Sequence, residues 1–187
     1  MEIKTAIILA GGFGTRLQTV VNDVPKPMAP INGIPFLSYQ LNYLKDYGID
    51  TVILSVGYLQ EKIMAFYKSE FNGLKLSYVV EEEPLGTGGG IRKAMEQCKD
   101  VEALALNGDS FFEIDLNKFQ QYHEFKNSSF SLALRKVENA SRYGRIEIEN
   151  DNRIASFQEK SVMPKSDTIN AGVYILDRKL FLQHTPA

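Results

Sequence analysis

Short apolar runs alternate along this chain with segments whose apolar residues recur at helical spacing, and this alternation limits the fold more than any other feature. The runs are typical of buried strands, and the segments are typical of helices that pack one face on a sheet. Such alternation forms βαβ units, so we expect a mainly parallel sheet with helices on both faces. The predicted strands are 4–10, 51–56, 74–80 and 101–107, and the predicted helices are 36–48, 59–71, 89–98 and 116–125.

The pattern changes after residue 128, where strands follow one another with little helix between them. Asn150-Asp151-Asn152 is typical of a hairpin turn between two of these strands. We therefore expect an α/β, Rossmann-like fold with a mainly parallel but mixed sheet, in a single domain over residues 1–187. The strands predicted in this second half are 129–137, 144–150, 153–159 and 170–176.

Composition and charge narrow the class of partner. With 187 residues, 44% of them hydrophobic, the chain has the size and composition of a globular protein with a sizeable core. The net charge is −2 and lysines and arginines are scattered, so we expect no nucleic-acid partner. The first apolar run is too short for a signal peptide, and no run approaches the ~18 residues of a membrane helix. The sequence predicts a cytoplasmic protein with no membrane partner.

The single cysteine and the two histidines receive no chemical role from their positions. Cys98 has no partner for an intrachain disulfide and no zinc-ligand spacing around it, so we expect a core or boundary residue in a helix. His123 and His184 lie outside every motif, and we expect both at the surface.

The glycine-rich segment LAGGFGTRL, residues 9–17, directly follows the first predicted strand. Ligands bind α/β sheets at the carboxyl ends of parallel strands, and glycines let the backbone approach a phosphate closely. Arg16 can offer a forked cation to phosphate oxygens, and Lys26, held between two prolines, follows at the same edge. The segment is neither a P-loop, since no Gly-Lys pair follows, nor a dinucleotide fingerprint, since Leu17 replaces the third glycine. Taken alone, it suits a tight turn with a solvated arginine equally well.

Two further strand ends carry residues suited to the same ligand. The segment 83–89, EPLGTGG, follows a predicted strand and opens a helix, whose first N–H groups can bind an anion. Asp109 ends the next strand in the sequence Asn107-Gly108-Asp109. A lone aspartate there is commonly a turn residue or a helix cap, but beside two phosphate-suited loops it is also placed to bind Mg²⁺. Together the three strand ends predict a site for a phosphorylated ligand and a metal ion.

With these residues the chain resembles the sugar-phosphate nucleotidyltransferase family, whose members join a sugar 1-phosphate to a nucleoside triphosphate and release pyrophosphate. The resemblance rests on motifs in family order that cover nearly the whole chain and are specific as a set. It implies the nucleotide-diphospho-sugar transferase type of the expected fold and an enzyme that uses Mg²⁺. The motifs are LAGGFGTRL with PKP, EPLGTGG, NGD, Phe157-Gln158-Glu159-Lys160 and Asn170-Ala171-Gly172.

The resemblance also implies a role for each matching residue. Its reaction is attack by an anionic sugar-phosphate oxygen on the α-phosphorus, which requires charge neutralisation and alignment rather than a general base. Without the family, Glu159-Lys160 would be interpreted as an exposed ion-pair step at a strand end. The implied catalytic residues are Arg16, Lys26, Asp109 and Lys160, with Asp109 as the metal ligand. The implied nucleotide-binding residues are Leu9, Ala10, Gly11, Gly12, Gly14, Thr15, Glu81, Gly86 and Thr87, and the sugar-phosphate-binding residues are Asn107, Gly144, Glu159, Lys160 and Asn170.

Glu81 bears on which base is bound. In relatives that use uracil or thymine, glutamine is expected at this position. Guanine presents two donors on one edge, N1–H and the N2 amino group, and a carboxylate offers only acceptors, so Glu81 favours GTP. The alternatives are that Glu82 takes this role, or that Glu81-Glu82-Glu83 is a solvated acidic run.

Several loops are most similar in sequence to those of the D-glycero-D-manno-heptose 1-phosphate guanylyltransferases of this family. Those enzymes make GDP-heptose for bacterial surface polysaccharides such as lipopolysaccharide or capsule. Mannose 1-phosphate is the alternative substrate, since heptose and mannose differ at one exocyclic carbon. The similar loops are PKPMAPINGIPFL, SVGY, EEEPLGTGGGIRKA and LNGDSFF.

One family feature is missing from the sequence. A second metal-binding aspartate is usual near the end of the fold, in a stretch resembling DIGTPEDY, but here residues 182–187 are predicted to start a helix. The expectation is a domain that lacks its C-terminal end. A non-catalytic nucleotide-sugar-binding or regulatory homologue is the alternative, disfavoured by the intact cations and Asp109, and an α/β domain with no ligand ranks last. The family often forms dimers or tetramers, so a homo-oligomer fits, and FFEIDL, residues 111–116, suits an interface or the core equally.

Overall fold

Strands and helices alternate through most of the chain as the sequence predicts, and the computed structural model describes residues 2–12, 23–137, 145–158 and 167–186. The strands are β1 (Thr5–Ala10), β2 (Pro30–Ile31), β3 (Ile34–Pro35), β4 (Thr51–Val56), β5 (Glu70–Phe71), β6 (Leu74–Val80), β7 (Glu102–Asn107), β8 (Phe130–Lys136), β9 (Arg145–Ile148), β10 (Ile154–Gln158) and β11 (Thr168–Asp177). The helices are α1 (Phe36–Asp46), α2 (Gln60–Tyr67), α3 (Gly86–Gln97), α4 (Leu116–Phe125) and α5 (Arg178–His184), and Lys26–Met28 form a 3₁₀ turn.

Nine of these strands form one mixed sheet, in the order β10-β9-β11-β7-β1-β4-β6-β5, with β8 also paired to β11. The central strands β7, β1, β4 and β6 run parallel, so their carboxyl ends lie at the same edge. Strand β11 runs antiparallel to β7 and joins the second half of the chain to this parallel core. The predicted hairpin at Asn150-Asp151-Asn152 is confirmed, because β9 and β10 pair antiparallel and Glu149 N–H donates to the Arg153 carbonyl at 2.8 Å.

Helices cover both faces of the sheet, as expected. Successive strand residues point to opposite faces, so β1 and β4 divide their side chains between two apolar clusters. Leu37, Leu41 and Leu44 form a stripe along α1 that is fully buried in the first cluster. The first cluster includes Ala6, Ile8, Val52 and Leu54 of the sheet with Leu37, Leu41, Leu44, Ile63, Tyr67 and Leu116 of the helices. The second includes Ile7, Ile53 and Val79 with Ile91, Ala94, Met95 and Cys98, and Phe181 and Leu182 pack against it.

The helix predicted over 59–71 is wrong at its end. Helix α2 stops at Tyr67, because Lys68 takes a positive φ of 53°, and β5 then pairs antiparallel with β6. Asn72 and Gly73 join the two strands with φ angles of 50° and 88°. An Asn-Gly pair between apolar residues is a strong hairpin signal, and in this segment it overrides the helical spacing.

The prediction that a helix starts at 182–187 is also wrong, since residues 182–184 are the last turn of a helix that began earlier. Helix α5 begins at Arg178, where the Asp177 side chain caps it by accepting a hydrogen bond from Leu180 N–H at 2.8 Å. Arg92 Nη1 donates to the carbonyls of Leu182 and Thr185, which satisfies acceptors that a helix end leaves unpaired. None of the helices in the described ranges is both long and apolar enough to cross a membrane.

The expectation for Cys98 is confirmed, whereas that for His123 is wrong. Cys98 follows the last residue of α3 and is 2% exposed, and burial raises the pKa of its thiol. His123 is also 2% exposed, because it follows the buried Leu116 and Gln120 at helical spacing and so faces the sheet. His184 is exposed, as expected.

Candidate active site

Three loops at the carboxyl ends of β1, β6 and β7 surround a cavity of about 310 Å³. The loops meet because β7, β1, β4 and β6 are parallel neighbours whose ends share one edge of the sheet. Most of the predicted nucleotide residues lie on its wall. The described lining residues are Leu9, Ala10, Gly11, Gly12, Lys26, Pro27, Glu81, Pro84, Gly86, Thr87, Asn107 and Asp109.

Two glycines outside the cavity wall allow these loops to pack backbone against backbone. Gly108 N–H donates to the Leu9 carbonyl at 2.9 Å, and a Cβ at Gly108 would lie 2.4 Å from that same oxygen. A Cβ at Gly57, just after β4, would lie 2.8 Å from the Gly11 carbonyl oxygen. A side chain at either position would therefore push the loop of β1 away from its neighbour.

Lys26 and Asp109 form an ion pair at the cavity, with 2.7 Å between Nζ and Oδ2. Lys26 opens the 3₁₀ turn that Pro25 caps and Pro27 continues, so the stiff Pro-Lys-Pro segment presents the ammonium group to the strand ends, as expected. The side chains are 28% and 51% exposed, and exposed pairs of this kind contribute only about 0–1 kcal/mol to stability. The pair therefore offers a cation and a carboxylate to a ligand, and stabilises the fold little.

Gln40 fixes the loop that carries Asp109, and no motif had singled it out. Its Nε2 donates to the carbonyls of Asn107 at 2.8 Å and Ser110 at 3.0 Å, on either side of the aspartate. Gln40 is 1% exposed, and among the described residues its Oε1 has no hydrogen-bond partner. The available signal was a polar residue next to the apolar stripe of α1, where a buried side chain needs polar partners.

Glu81 follows β6 and turns its carboxylate inward. Ser55 Oγ donates to Oε1 at 2.6 Å, and Leu85 N–H donates to Oε2 at 3.2 Å. A Cβ at Gly11 or at Gly90 would lie 2.7 or 2.9 Å from Oε1, so two glycines make room for the carboxylate.

The alternative of a solvated acidic run is therefore wrong for Glu81. Glu82 and Glu83 are exposed, while Glu81 is half-buried and lines the cavity. Glu82 is not among the described residues on the cavity wall.

The predicted sugar-phosphate residues are brought together only in part. Asn107 lines the cavity, and its Nδ2 would lie 2.5 Å from a Cβ at Gly172, which has a positive φ of 75°. Asn170 accepts a hydrogen bond from Gly172 N–H at 2.7 Å and donates to Tyr174 Oη at 2.8 Å, within an irregular stretch of β11. It is not among the described lining residues. The predicted site residues Gly14, Thr15, Arg16, Gly144, Glu159 and Lys160 lie outside the described ranges.

Asp109 is the residue that suits a metal ion. No group of three or more His, Cys, Asp or Glu side chains suited to a metal occurs within the described ranges. Mg²⁺ in phosphate sites is commonly held by one or two carboxylates together with substrate phosphates. The half-exposed carboxylate of Asp109, beside the glycine loops, fits an ion shared with bound phosphates.

The chain is similar to known proteins over nearly its whole length. Residues 5–186 match the Nucleotidyl transferase family. The D-glycero-alpha-D-manno-heptose 1-phosphate guanylyltransferase of Campylobacter jejuni is 46% identical over 176 residues, which are 94% of this chain and 77% of the relative. The mannose-1-phosphate guanylyltransferase of Mycobacterium tuberculosis is 36% identical over 180 residues, covering 94% of this chain and 49% of the relative.

A solved structure is similar to nearly the whole chain. The crystal structure of HddC from Yersinia pseudotuberculosis complexed with GMP-PN has a TM-score of 0.83 and 35% identity, covering 99% of this chain and 81% of that one. The strand order and the loops around the cavity agree with the family match over residues 5–186. The chain belongs to the nucleotidyl transferase family of enzymes.

Proposed function

We propose that the chain transfers GMP from GTP to a heptose 1-phosphate, giving GDP-heptose and pyrophosphate. The observation that carries this proposal is the wall of one cavity, where the Glu81 carboxylate and the Lys26–Asp109 pair lie among glycine-rich backbone. A carboxylate matches the two donors of guanine, and the loops and the cation suit a triphosphate.

The relatives support the base and the sugar. HddC was crystallised with GMP-PN, and the relative with 46% identity is named for heptose 1-phosphate, against 36% for the one named for mannose 1-phosphate. Mannose 1-phosphate guanylyl transfer is therefore the second candidate.

In the proposed reaction a phosphate oxygen of the sugar 1-phosphate attacks the α-phosphorus of GTP. The new P–O bond forms as the bond between the α-phosphorus and its bridging oxygen to the β-phosphorus breaks, and pyrophosphate leaves. Lys26 neutralises phosphate charge, and the N–H groups of Gly11, Gly12 and Thr87 bind phosphate oxygens. The nucleophile is already anionic, so no side chain needs to remove a proton.

Asp109 is proposed to hold Mg²⁺, with Gln40 keeping its loop in place. The ion would supply charge neutralisation for the triphosphate. Arg16 and Lys160 remain predicted as further cations of the reacting centre, and Glu159 and Gly144 as sugar contacts. The proposed enzyme is cytoplasmic, forms a homo-oligomer as members of its family often do, and supplies lipopolysaccharide or capsule synthesis.

Pyrophosphate release in the presence of Mg²⁺ tests the proposal. GTP, UTP, dTTP and CTP are each paired with heptose 1-phosphate and with mannose 1-phosphate, and Asp109→Asn is the control for a background activity. Release is expected with GTP and heptose 1-phosphate. Faster release with mannose 1-phosphate would favour the second candidate, and release only with UTP or dTTP would overturn the guanine assignment. No release from any pair, with GTP or GDP-sugar still bound, would favour a non-catalytic homologue.

A further inference from the structure

Ser55 carries a buried hydroxyl to which no motif assigns a role, and it lies directly behind the cavity wall. It is 0% exposed and is the penultimate residue of β4, in the otherwise apolar run Val52-Ile53-Leu54-Ser55-Val56. We propose that Ser55 is a positioning residue for base recognition, which holds the Glu81 carboxylate in the orientation that accepts the two donors of guanine. This inference rests on the proposed use of GTP.

The register of the sheet brings the two side chains together. Strands β4 and β6 run parallel with Ser55 opposite Val79, and Glu81 lies two residues beyond Val79. Residues two apart on an extended strand point to the same face, so Ser55 and Glu81 meet beneath α3. The resulting hydrogen bond from Ser55 Oγ to Oε1 is 2.6 Å long, typical of a hydroxyl that donates to a carboxylate.

Each oxygen of the Glu81 carboxylate accepts one hydrogen bond within the protein and can still accept another from a ligand. Oε1 accepts from Ser55 and Oε2 accepts from Leu85 N–H. An ionised carboxylate has about four lone-pair sites, so one acceptor direction per oxygen remains for a ligand. Glu81 lines the cavity, which is where these acceptors can meet the N1–H and N2–H donors of a guanine edge.

The surroundings restrict the carboxylate to this position. Gly11 and Gly90 lie so close that a Cβ on either would come within 2.9 Å of Oε1. On the sheet face beneath α3, the neighbouring side chains Ile53 and Val79 are apolar and buried. A buried hydroxyl in such a place destabilises the fold unless it is hydrogen-bonded, and alanine would pack there without that need. The serine is thus better explained by its bond to Glu81 than by packing.

Ser55→Ala removes the hydroxyl, and ITP provides the test of orientation because inosine keeps N1–H but lacks the N2 amino group. The wild-type chain is expected to prefer GTP over ITP in kcat/KM. In Ser55→Ala the KM for GTP should rise about fivefold, the effect of losing one hydrogen bond of about 1 kcal/mol. The KM for ITP should rise less and kcat should change less than twofold, so the preference for GTP falls.

Thr5→Val is the matched control, since it removes a buried hydroxyl (Thr5 is 7% exposed) from the opposite end of the neighbouring strand β1. It should leave the GTP/ITP ratio unchanged. Glu81→Gln should lower the ratio by itself, and adding Ser55→Ala to Glu81→Gln should lower it no further. Thermal unfolding of every variant shows whether each remains folded.

The outcomes separate this inference from the proposed function. A wild-type preference for GTP that Ser55→Ala leaves intact, or an equal loss with GTP and ITP, would overturn the role of Ser55 and leave the proposed function standing. If the wild-type chain releases no pyrophosphate, the calorimetric Kd values for GTP and ITP replace KM. Equal Kd values for the two nucleotides in the wild-type chain would overturn both.

Discussion

The two ends of β7 carry polar clusters that are built in opposite ways. At the carboxyl end, Lys26 and Asp109 pair with side chains 28% and 51% exposed and border a cavity. At the amino end, His123 is 2% exposed, with Nδ1 2.8 Å from Ser131 Oγ and Nε2 3.1 Å from Glu102 Oε1.

The difference lies in how each cluster uses its hydrogen-bonding capacity. Both ring nitrogens of His123 are satisfied inside the protein, so this cluster ties α4 to β7 and β8 and leaves nothing for a ligand. The pair of Lys26 and Asp109 keeps part of each charged group open to the cavity. We therefore expect the closed cluster to contribute to stability alone and the open one to activity alone.

Asp109→Asn gives the largest expected effect and tests the open end. Loss of the carboxylate charge should lower the rate of pyrophosphate release by on the order of 100-fold or more, the scale seen when one preorganised electrostatic group is removed. The free energy of unfolding should change by no more than about 1 kcal/mol, because the ion pair is partly exposed. Steady-state kinetics and urea unfolding check both parts, and a large loss of stability would break the comparison.

Gly108→Ala should lower both stability and activity, because Gly108 packs the loop that carries Asp109 against the Leu9 carbonyl of β1. Its new Cβ would lie 2.4 Å from the Leu9 carbonyl oxygen, and the backbone shift needed should lower the free energy of unfolding by about 2 to 3 kcal/mol. Gly12→Ala is the matched control for stability, since a Cβ there meets nothing within 4 Å. Urea unfolding compares the two, and equal stabilities would show that the loop gives way without cost.

His123→Ala tests the closed end. It leaves Ser131 and Glu102 without their partner and opens a cavity, so the free energy of unfolding should fall by about 2 kcal/mol. The kcat/KM of the folded fraction should stay at the wild-type value. His184→Ala, at an exposed position, should change the stability by less than about 0.5 kcal/mol. A fall in kcat/KM for His123→Ala with unchanged stability would assign the closed cluster a function.

Tyr67→Phe gives the smallest expected effect and extends the comparison to a second closed pair. Tyr67 Oη and Ser38 Oγ lie 2.7 Å apart in the core, and losing this bond should lower the free energy of unfolding by about 1 kcal/mol at pH 7. Burial raises the pKa of Tyr67 to about 12. The neutral Tyr67 hydroxyl therefore stabilises the folded state fully below the unfolded-state pKa of about 10. This stabilisation is lost as the pH rises towards 12.

Urea unfolding between pH 9 and pH 12 checks this pH dependence. The wild-type chain should lose its advantage over Tyr67→Phe across that range. Two curves that stay parallel would contradict it. Activity at pH 7 should be the same for both chains.

The sequence predicted the residues around the cavity better than it predicted the cluster of His123, and the reason is physical. Apolar runs and glycine-rich segments are local signals, and parallel strands bring their carboxyl ends together whatever the details of packing, so the loops of Leu9, Glu81 and Asp109 could be placed at one edge. Partners such as Ser55 for Glu81, or Ser131 for His123, depend on the register of distant strands. The Asn72-Gly73 hairpin was a local signal, and helical spacing obscured it.

Strand β11 has a consequence for the order in which the chain can fold as it is made. Within the described ranges, β8 and the β9–β10 hairpin reach the sheet only through β11, which also pairs with β7. The parallel core and strands β8, β9 and β10 are therefore synthesised before β11, the strand that joins them. During that interval the exposed edges of β7 and β8 can pair with other chains. A pause in translation between residues 158 and 168 prolongs this interval, because β10 has then been made and β11 has not.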